Sequence, residues 1–258
     1  MFRLRVIKNI MKESKIDSNR FGFKVGKTDG EIFRKTSLEE IKKDGYKLII
    51  ARVDMNDIEL VNIMEDIGFR IKDTQITYKH SLVNLKDQEF FDFTVLQTES
   101  LITIRSFKAS DMPILVDMAK ESFNNYGHYF KNKDLDPVKC LEVYENWAYN
   151  TCTKSEVADK IIVACEDDMP VGYLSFKIHD NGFGKRYAAG GMGAVRLNKR
   201  GKGIFPKILK AGLDWSFIVD LDWCEHNVIV NNFPVNRSMN KLGFKPTSPV
   251  ATMHLTIK

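Results

Sequence analysis

The chain has few cysteines and no CxxC pair: Cys140, Cys152, Cys165 and Cys224 are the only four in 258 residues. Their spacing suits no metal site, so no bound metal is expected, and it predicts reduced, buried thiols in a cytoplasmic protein. No apolar run is long enough to cross a bilayer. The opening residues, MFRLRVIKNIMKESK, break their hydrophobic stretch with charges, and no signal-peptide core is expected there. Two phosphate-binding signatures are also missing. Without GxGxxG the dinucleotide reading weakens, and without GxxxxGK[ST] the P-loop reading does. A net charge of +5 favours a small anionic ligand. It is not the focused basic stripe of a nucleic-acid binder, and the basic residues are not interleaved with stacking aromatics. Hydrophobic content of 43% and charged content of 28% are those of an ordinary globular protein with room for two small domains.

What is present centres on Ala188–Ala211, AAGGMGAVRLNKRGKGIFPKILKA. It reads as a buried strand, a basic turn and a helix. Gly190, Gly191 and Gly193 weaken a strand unless another backbone or a ligand must approach it closely. The turn Lys199-Arg200-Gly201-Lys202-Gly203 opens into a helix with Pro206 in its first turn, where a missing N–H costs little. Unpaired amides beside Arg200 and Lys202 suit a phosphate. An ordinary strand-to-helix turn with solvated basic residues is the competing reading.

Before this stretch, Phe21–Val25 reads as a strand, and Thr36 or Ser37 as the cap of a helix through Lys43. Tyr46–Val53 reads as a buried strand, and Asp57 opens a helix with Leu60, Met64 and Ile67 on its apolar face. Gly68 ends that helix, and Phe69–Leu82 continues as a strand. A polar segment near Asp87–Asp92 suits a linker. The same order returns 175 residues later, where Gly243-Phe244 answers Gly68-Phe69. Val235, Met239 and Leu242 then answer Leu60, Met64 and Ile67, which suggests one supersecondary unit used twice.

From about Ser100 the predicted order is strand, helix to Phe123, an aromatic polar loop (NNYGHYFKNKDLD), a helix from Pro137, and three strands. The basic turn, its helix, a short strand Val228–Val230, a helix opened by Asn232 and a closing strand Val250–Ile257 follow. Ser110 and Asp111 read as the cap of the first helix. Leu141, Tyr144, Trp147 and Ala148 are expected on one side of the second, where the aromatics read as core before they read as a stacking surface for a sugar or a base.

The turn and this order resemble the GCN5-related N-acetyltransferase (GNAT) superfamily. Arg200 takes the first place of its Q/R-x-x-G-x-G/A pattern and Gly203 the central glycine, while Phe205 stands where the last Gly or Ala belongs. Asn232, Val235, Lys241 and Gly243-Phe244 match N-x-x-A-x-x-x-Y-x-K-x-G-F, with Met239 in the tyrosine's place. The resemblance implies an α/β fold with a mixed α+β sheet: a truncated GNAT-like domain over 1–99 and a complete GNAT domain with splayed central strands over 100–258. The segments FGFKVG, HYF and VYENWAYNT further resemble the dTDP-fucosamine acetyltransferase group.

That resemblance implies acetyl-CoA as cofactor and transfer of its acetyl group to the amine of a small acceptor, first a nucleotide-linked amino sugar. A protein N-terminus, an antibiotic or a polyamine as acceptor, or a CoA-binding module without turnover, are the alternatives, and a homodimer is left open. The implied cofactor residues are Gly193, Ala194, Val195, Arg200, Gly201, Lys202, Gly203, Ile204, Phe205 and Asn232, with Lys199 and Lys207 adding charge. The oxyanion donor falls near Ala194 or Val195. Met239 donates no proton, which leaves Tyr144, Ser238 or water as acid, or a thiolate leaving unaided. His128 and His254 are candidate bases by intrinsic pKa. Their competing readings are a loop residue and a strand side chain facing water.

Overall fold

The computed structural model describes residues 11–83 and 102–257. The expected domain boundary at Glu99–Ser100 and the linker near Asp87–Asp92 lie outside them. The chain divides into two compact units. The first gathers Met1–Ile76, Tyr126–Cys140 and Ser248–Lys258, and the second Thr77–Asn125 and Leu141–Thr247.

In the first unit the strands β1 (Lys12–Glu13), β2 (Val25–Thr28) and β3 (Leu48–Asp54) are joined by the end of β10 (Lys245–Thr256) in the order β1-β2-β3-β10. β2 runs parallel to β3, and β10 antiparallel to it, with Val250 opposite Asp54 and Thr256 opposite Leu48. One face buries Ile49, Ala51, Val53, Ala251 and Met253 against Leu60 and Met64 of α3 (Ile58–Ile67). Asp57 caps α3 by accepting the Leu60 amide, and Gly68 ends it at φ +108°. Ser37 and Glu40 close a capping box on α2 (Leu38–Lys43).

The strand expected at Phe21–Val25 begins only at Val25, as β2, and an unexpected helix α1 (Lys15–Phe21), stopped by Gly22 at φ +78°, precedes it. Asp17 in its first turn favours the helix through the dipole, and the Ser18 hydroxyl accepts the Val25 amide beyond the stop. The aromatic loop also contains structure, a single helical turn α5 (Gly127–Phe130).

The second unit orders its strands β9-β8-β7-β6-β5, where β5 is Ile102–Ser106, β6 Lys160–Glu166, β7 Met169–Asp180, β8 Arg186–Val195 and β9 Trp223–Ile229. All neighbours are antiparallel except β8 and β9. Asp167 and Asp168, at φ +47° and +63°, form the two-residue turn between β6 and β7, so Met169 and Pro170 already belong to the strand. The strand expected at Val228–Val230 begins five residues earlier, at Trp223. α4 (Met112–Phe123) buries Leu115, Met118 and Ala119. Asp111 caps it with no side-chain bond; its carboxylate holds both Arg105 Nη atoms, at 2.7 and 2.8 Å, and the Lys108 amide. α6 (Pro137–Thr153) buries Tyr144 and Ala148 but leaves Trp147 43% exposed, against the expected inward side.

The 175-residue repeat is exact at the level of elements. β3 maps onto β9, and β4 (Arg70–Ser81) onto β10, at both ends, and α3 maps onto α8 (Phe233–Lys241) to within one residue. Even single bonds recur: Leu82 donates to the Asp222 carbonyl as Ile257 does to that of Lys47, both at 2.9 Å. The end of β10 lies on β3 in the first unit, and the end of β4 beside β9 in the second. The closing strand, expected to finish the sheet of the later half, therefore has its last residues on β3.

Candidate functional site

β8 and β9 pair only through Tyr187–Trp223, Ala188–Cys224 and Ala189–Glu225, yet β8 continues to Val195 and β9 to Ile229. The two strands part after these three pairs. On its other side β8 stays paired with β7, with one irregularity: Gly191 and Met192 oppose the single residue Ser175, whose hydroxyl donates to the Met192 carbonyl at 3.1 Å. This is a bulge in β8, and it shifts the alternation of its backbone groups. The Arg196 amide donates to Val171 on β7 at 3.0 Å. Alternation along the ladder then gives Ala194 to β7 and turns Gly193 and Val195 toward the side β9 has left.

Glycine at these positions is dictated by neighbours. A Cβ on Gly193 would meet the Tyr173 carbonyl at 2.9 Å, one on Gly191 the Ser175 hydroxyl at 2.6 Å, and one on Gly190 would fall inside the imidazole of His226. His226 is the first β9 residue past the last pair. It is buried between the rings of Phe176 and Phe244, and burial lowers its pKa to about 3.

Beyond Val195 the chain makes a short turn, and α7 (Ile204–Ile218) begins with Gly203 as N-cap. Gly201 and Gly203 both take left-handed φ, +78° and +70°. Phe205 is the second residue of α7, where a helix needs no glycine. Among the described residues, the amides of Gly201, Lys202, Gly203 and Ile204 donate to no protein acceptor, and Gly201 and Lys202 are exposed. α7 rests on β7 at two close points, Gly172 under Ile204 and Ile208, and Gly212 against the Phe176 ring.

The basic residues divide by partner. Lys199 is ion-paired with Glu166. Arg200 donates from Nε to the Val195 carbonyl at 3.1 Å and from Nη2 to Ser122 at 3.0 Å, pinning the turn to the end of β8. Asn232 is the N-cap of α8, but its side chain makes no capping bond. Asn236, unmarked in the sequence reading, donates to the Ile229, Val230 and Asn232 carbonyls and so fixes how β9 enters α8. Met239 is 1% exposed, as a core residue would be. Tyr144 is buried and stacked on Phe123 with centroids 5.0 Å apart.

His128 and His254 both lie in the first unit, whereas Val195 and Tyr144 lie in the second. The water-facing reading of His254 fails, and His128 lies part-buried in the single turn α5 within the expected loop. His254 is 2% exposed, and its Nε2 is 2.8 Å from His128 Nδ1. Burial, the partner imidazole and the charges of Arg52 and Lys27 hold His128 well below the usual histidine range. His254 falls to about 3, chiefly through burial. Among the described residues there is no cluster fit to hold a metal ion and no helix long and apolar enough to cross a membrane.

No family model and no curated protein matches the chain. Solved structures do. A GCN5-related N-acetyltransferase from Sphaerobacter thermophilus matches over 85% of this chain and 64% of its own, with 14% identity and a TM-score of 0.54. A tandem GNAT protein from the clavulanic acid biosynthesis pathway matches over 84% and 66%, with 15% identity and a TM-score of 0.58. A GCN5-related N-acetyltransferase from Kribbella flavida matches over 90% and 80%, with 13% identity and a TM-score of 0.57. The chain thus spans just under two thirds of the first two. Its mixed α/β architecture is similar to these GNAT structures, tandem ones included.

Proposed function

We propose that this chain transfers the acetyl group of acetyl-CoA to the primary amine of a small acceptor. The observation that carries this reading is the parting of β8 and β9 after Ala189 and Glu225 while both strands continue. A parted pair of strands offers unused backbone groups to an arm that itself carries amides. The unbonded amides of Gly201–Ile204 lie at the far end of β8, where a helix start attracts a diphosphate. The residues therefore fit the cofactor. On this backbone the family pattern reads two residues earlier, with Asn198 first and Gly201 and Gly203 in both glycine places.

Acetyl-CoA, when bound, supplies the thioester carbonyl and a thiolate leaving group. The turn amides and Lys202 hold its phosphates, while Arg200 shapes the turn through Val195 and Ser122. Gly193 would let the arm lie against β8, Asn232 would meet it from the start of α8 beyond β9, and the Val195 amide would donate to the oxygen on which charge develops. Lone pairs of both His128 and His254 are engaged by hydrogen bonds, so we assign the amine's proton to water rather than to either base candidate. A thiol pKa of about 8.5 allows the thiolate to leave without a fixed acid; Tyr144 is the side chain to test for that role.

Within this reading, residues 1–99 are a truncated GNAT-like domain and 100–258 a complete one, supported by the 175-residue repeat. The four unpaired cysteines suit the cytoplasm. A nucleotide-linked amino sugar is the first acceptor to try, on the resemblance of FGFKVG, HYF and VYENWAYNT. A second reading, a CoA-binding module without turnover, draws on Met239 in the tyrosine's place. Calorimetry with acetyl-CoA, then thiol release across dTDP- and UDP-amino sugars, separates them. Binding with acceptor-dependent release supports transfer, binding without release across a broad amine panel leaves the module, and no binding removes both.

A further inference from the structure

In the first unit, a chain of hydrogen bonds fixes where each proton sits. The Asp134 amide donates to Asn132 Oδ1 at 3.1 Å, which settles the orientation of that side-chain amide. Asn132 Nδ2 then faces His254 Nδ1 at 3.1 Å and must donate to it. His254 therefore carries its proton on Nε2, and it donates that proton to His128 Nδ1 at 2.8 Å. His128 in turn is protonated on Nε2. The acceptor nitrogen of each imidazole is used, and neither ring takes another proton without breaking a bond of the chain. A proton added to His254 Nδ1 would face the Asn132 amide hydrogen; one added to His128 Nδ1 would face the proton on His254.

His128 and Asn132 belong to the segment Tyr126–Cys140, and His254 to β10, where it lies beside Ile50 of β3. The segment also donates from the Tyr129 hydroxyl to Asp17 Oδ2 at 3.2 Å, and it buries Tyr129, Asn132 and Leu135. We propose that Gly127–Leu135 is a strap that stays on the sheet of the first unit only while His128 and His254 are both neutral, and that acidification releases it. The inference does not rest on the acyl-transfer reading.

Groups around the pair decide the sign. Lys27 of β2, Arg52 of β3 and Lys72 of β4 place positive charge toward it, which opposes protonation of the closed form. Asp17 of α1 opposes them at His254, with an effect between those of Lys72 and Lys27. Its own carboxyl stays ionised, because Lys27, Ser14 and Arg20 outweigh the effect of burial. Asp73 of β4 works in the opposite sense. Burial raises its pKa, against Thr252, Arg52 and the strap's own His128 amide, and the net rise opposes release as pH falls. Both histidines have depressed pKa values when the strap is closed, so the closed form is favoured above the ordinary histidine pKa of about 6.5 and loses ground below it. Each histidine multiplies the opening constant by up to about tenfold per pH unit, so two give roughly 100-fold between pH 7.5 and 5.5.

Hydrogen exchange of the full chain at pH 7.5 and 5.5, corrected for the intrinsic rate at each pH, tests this. Amides 127–135 are expected to lose protection by roughly 100-fold relative to those of α3. His254→Gln keeps the chain, since its carbonyl accepts from Asn132 and its amide donates to His128, and it should reduce the change to about tenfold. His128→Gln with His254→Gln should abolish it. A strap whose protection follows α3 at both pH values, or a double variant that opens like the wild type, overturns the proposal. Should the double variant not fold, histidine nitrogen NMR of the wild type decides. Two Nε2-protonated rings that do not titrate while the strap is protected support it. An Nδ1-protonated ring, or titration near 6.5 with the strap still protected, overturns it.

Discussion

Gly203 shows how much one backbone angle carries. At φ +70° in the N-cap of α7, a side chain is strained, and its amide belongs to the row proposed to face the phosphates. Gly203→Asp adds a negative charge there as well. It should weaken acetyl-CoA binding by ~100-fold or more in calorimetry while the far-ultraviolet spectrum stays that of the wild type; unchanged affinity would place the phosphates elsewhere. The sequence marked this glycine but assigned Arg200 to direct phosphate contact, whereas its guanidinium bonds are to Val195 and Ser122. No spacing rule separates those roles, because both need a cation at the same turn. The histidines were illegible for a related reason. Burial beside another imidazole depends on elements 126 residues apart. Neutral, buried His226 and His254 make folding depend on pH. With pKa values near 3 against about 6.5 unfolded, each contributes stability that is complete above pH 6.5. Each loses ~1.4 kcal/mol per pH unit below it. Urea midpoints should therefore fall between pH 7 and 5; a flat profile contradicts the buried neutral state.

At the scale of elements, the repeat was readable because its signals are local: an apolar helical stripe, a glycine stop and a following phenylalanine. Met64 and Met239 occupy matching places in α3 and α8, and both are buried, at 0% and 1% exposure. Met239→Ala should cost ~2–5 kcal/mol, as cavity-forming core substitutions do, and should leave acetyl-CoA binding and turnover per folded molecule near the wild type. A stable variant that binds acetyl-CoA yet loses turnover would give Met239 a chemical role. Other elements were misread where local signals compete. The ESKIDSNRF stretch carries helix and turn signals at once, and α1 forms there unexpectedly, ahead of a strand that starts only at Val25. Trp147 sits at helical spacing from Tyr144, but the buried stripe of α6 passes beside it. The partner of β10 was beyond reach, since strand partner choice depends on residues nearly 200 positions away.

Across the whole molecule, the element order from β5 to β10 was legible except for the single turn α5, and it matches folds that share only 13–15% identity. The two repeats differ where the proposed cofactor site lies. In the second unit β8 runs on past its last pair with β9, whereas in the first β2 ends while all four of its residues, Val25–Thr28, remain paired with β3. The chain then turns at Gly30, beneath Met64 and Val53. The first unit thus keeps the scaffold without the opening, and one cofactor per chain follows. Titration calorimetry of the intact chain with acetyl-CoA tests this most directly. The account predicts saturable binding of one molecule per chain, abolished by Gly203→Asp; absence of binding, or affinity untouched by that substitution, would contradict it.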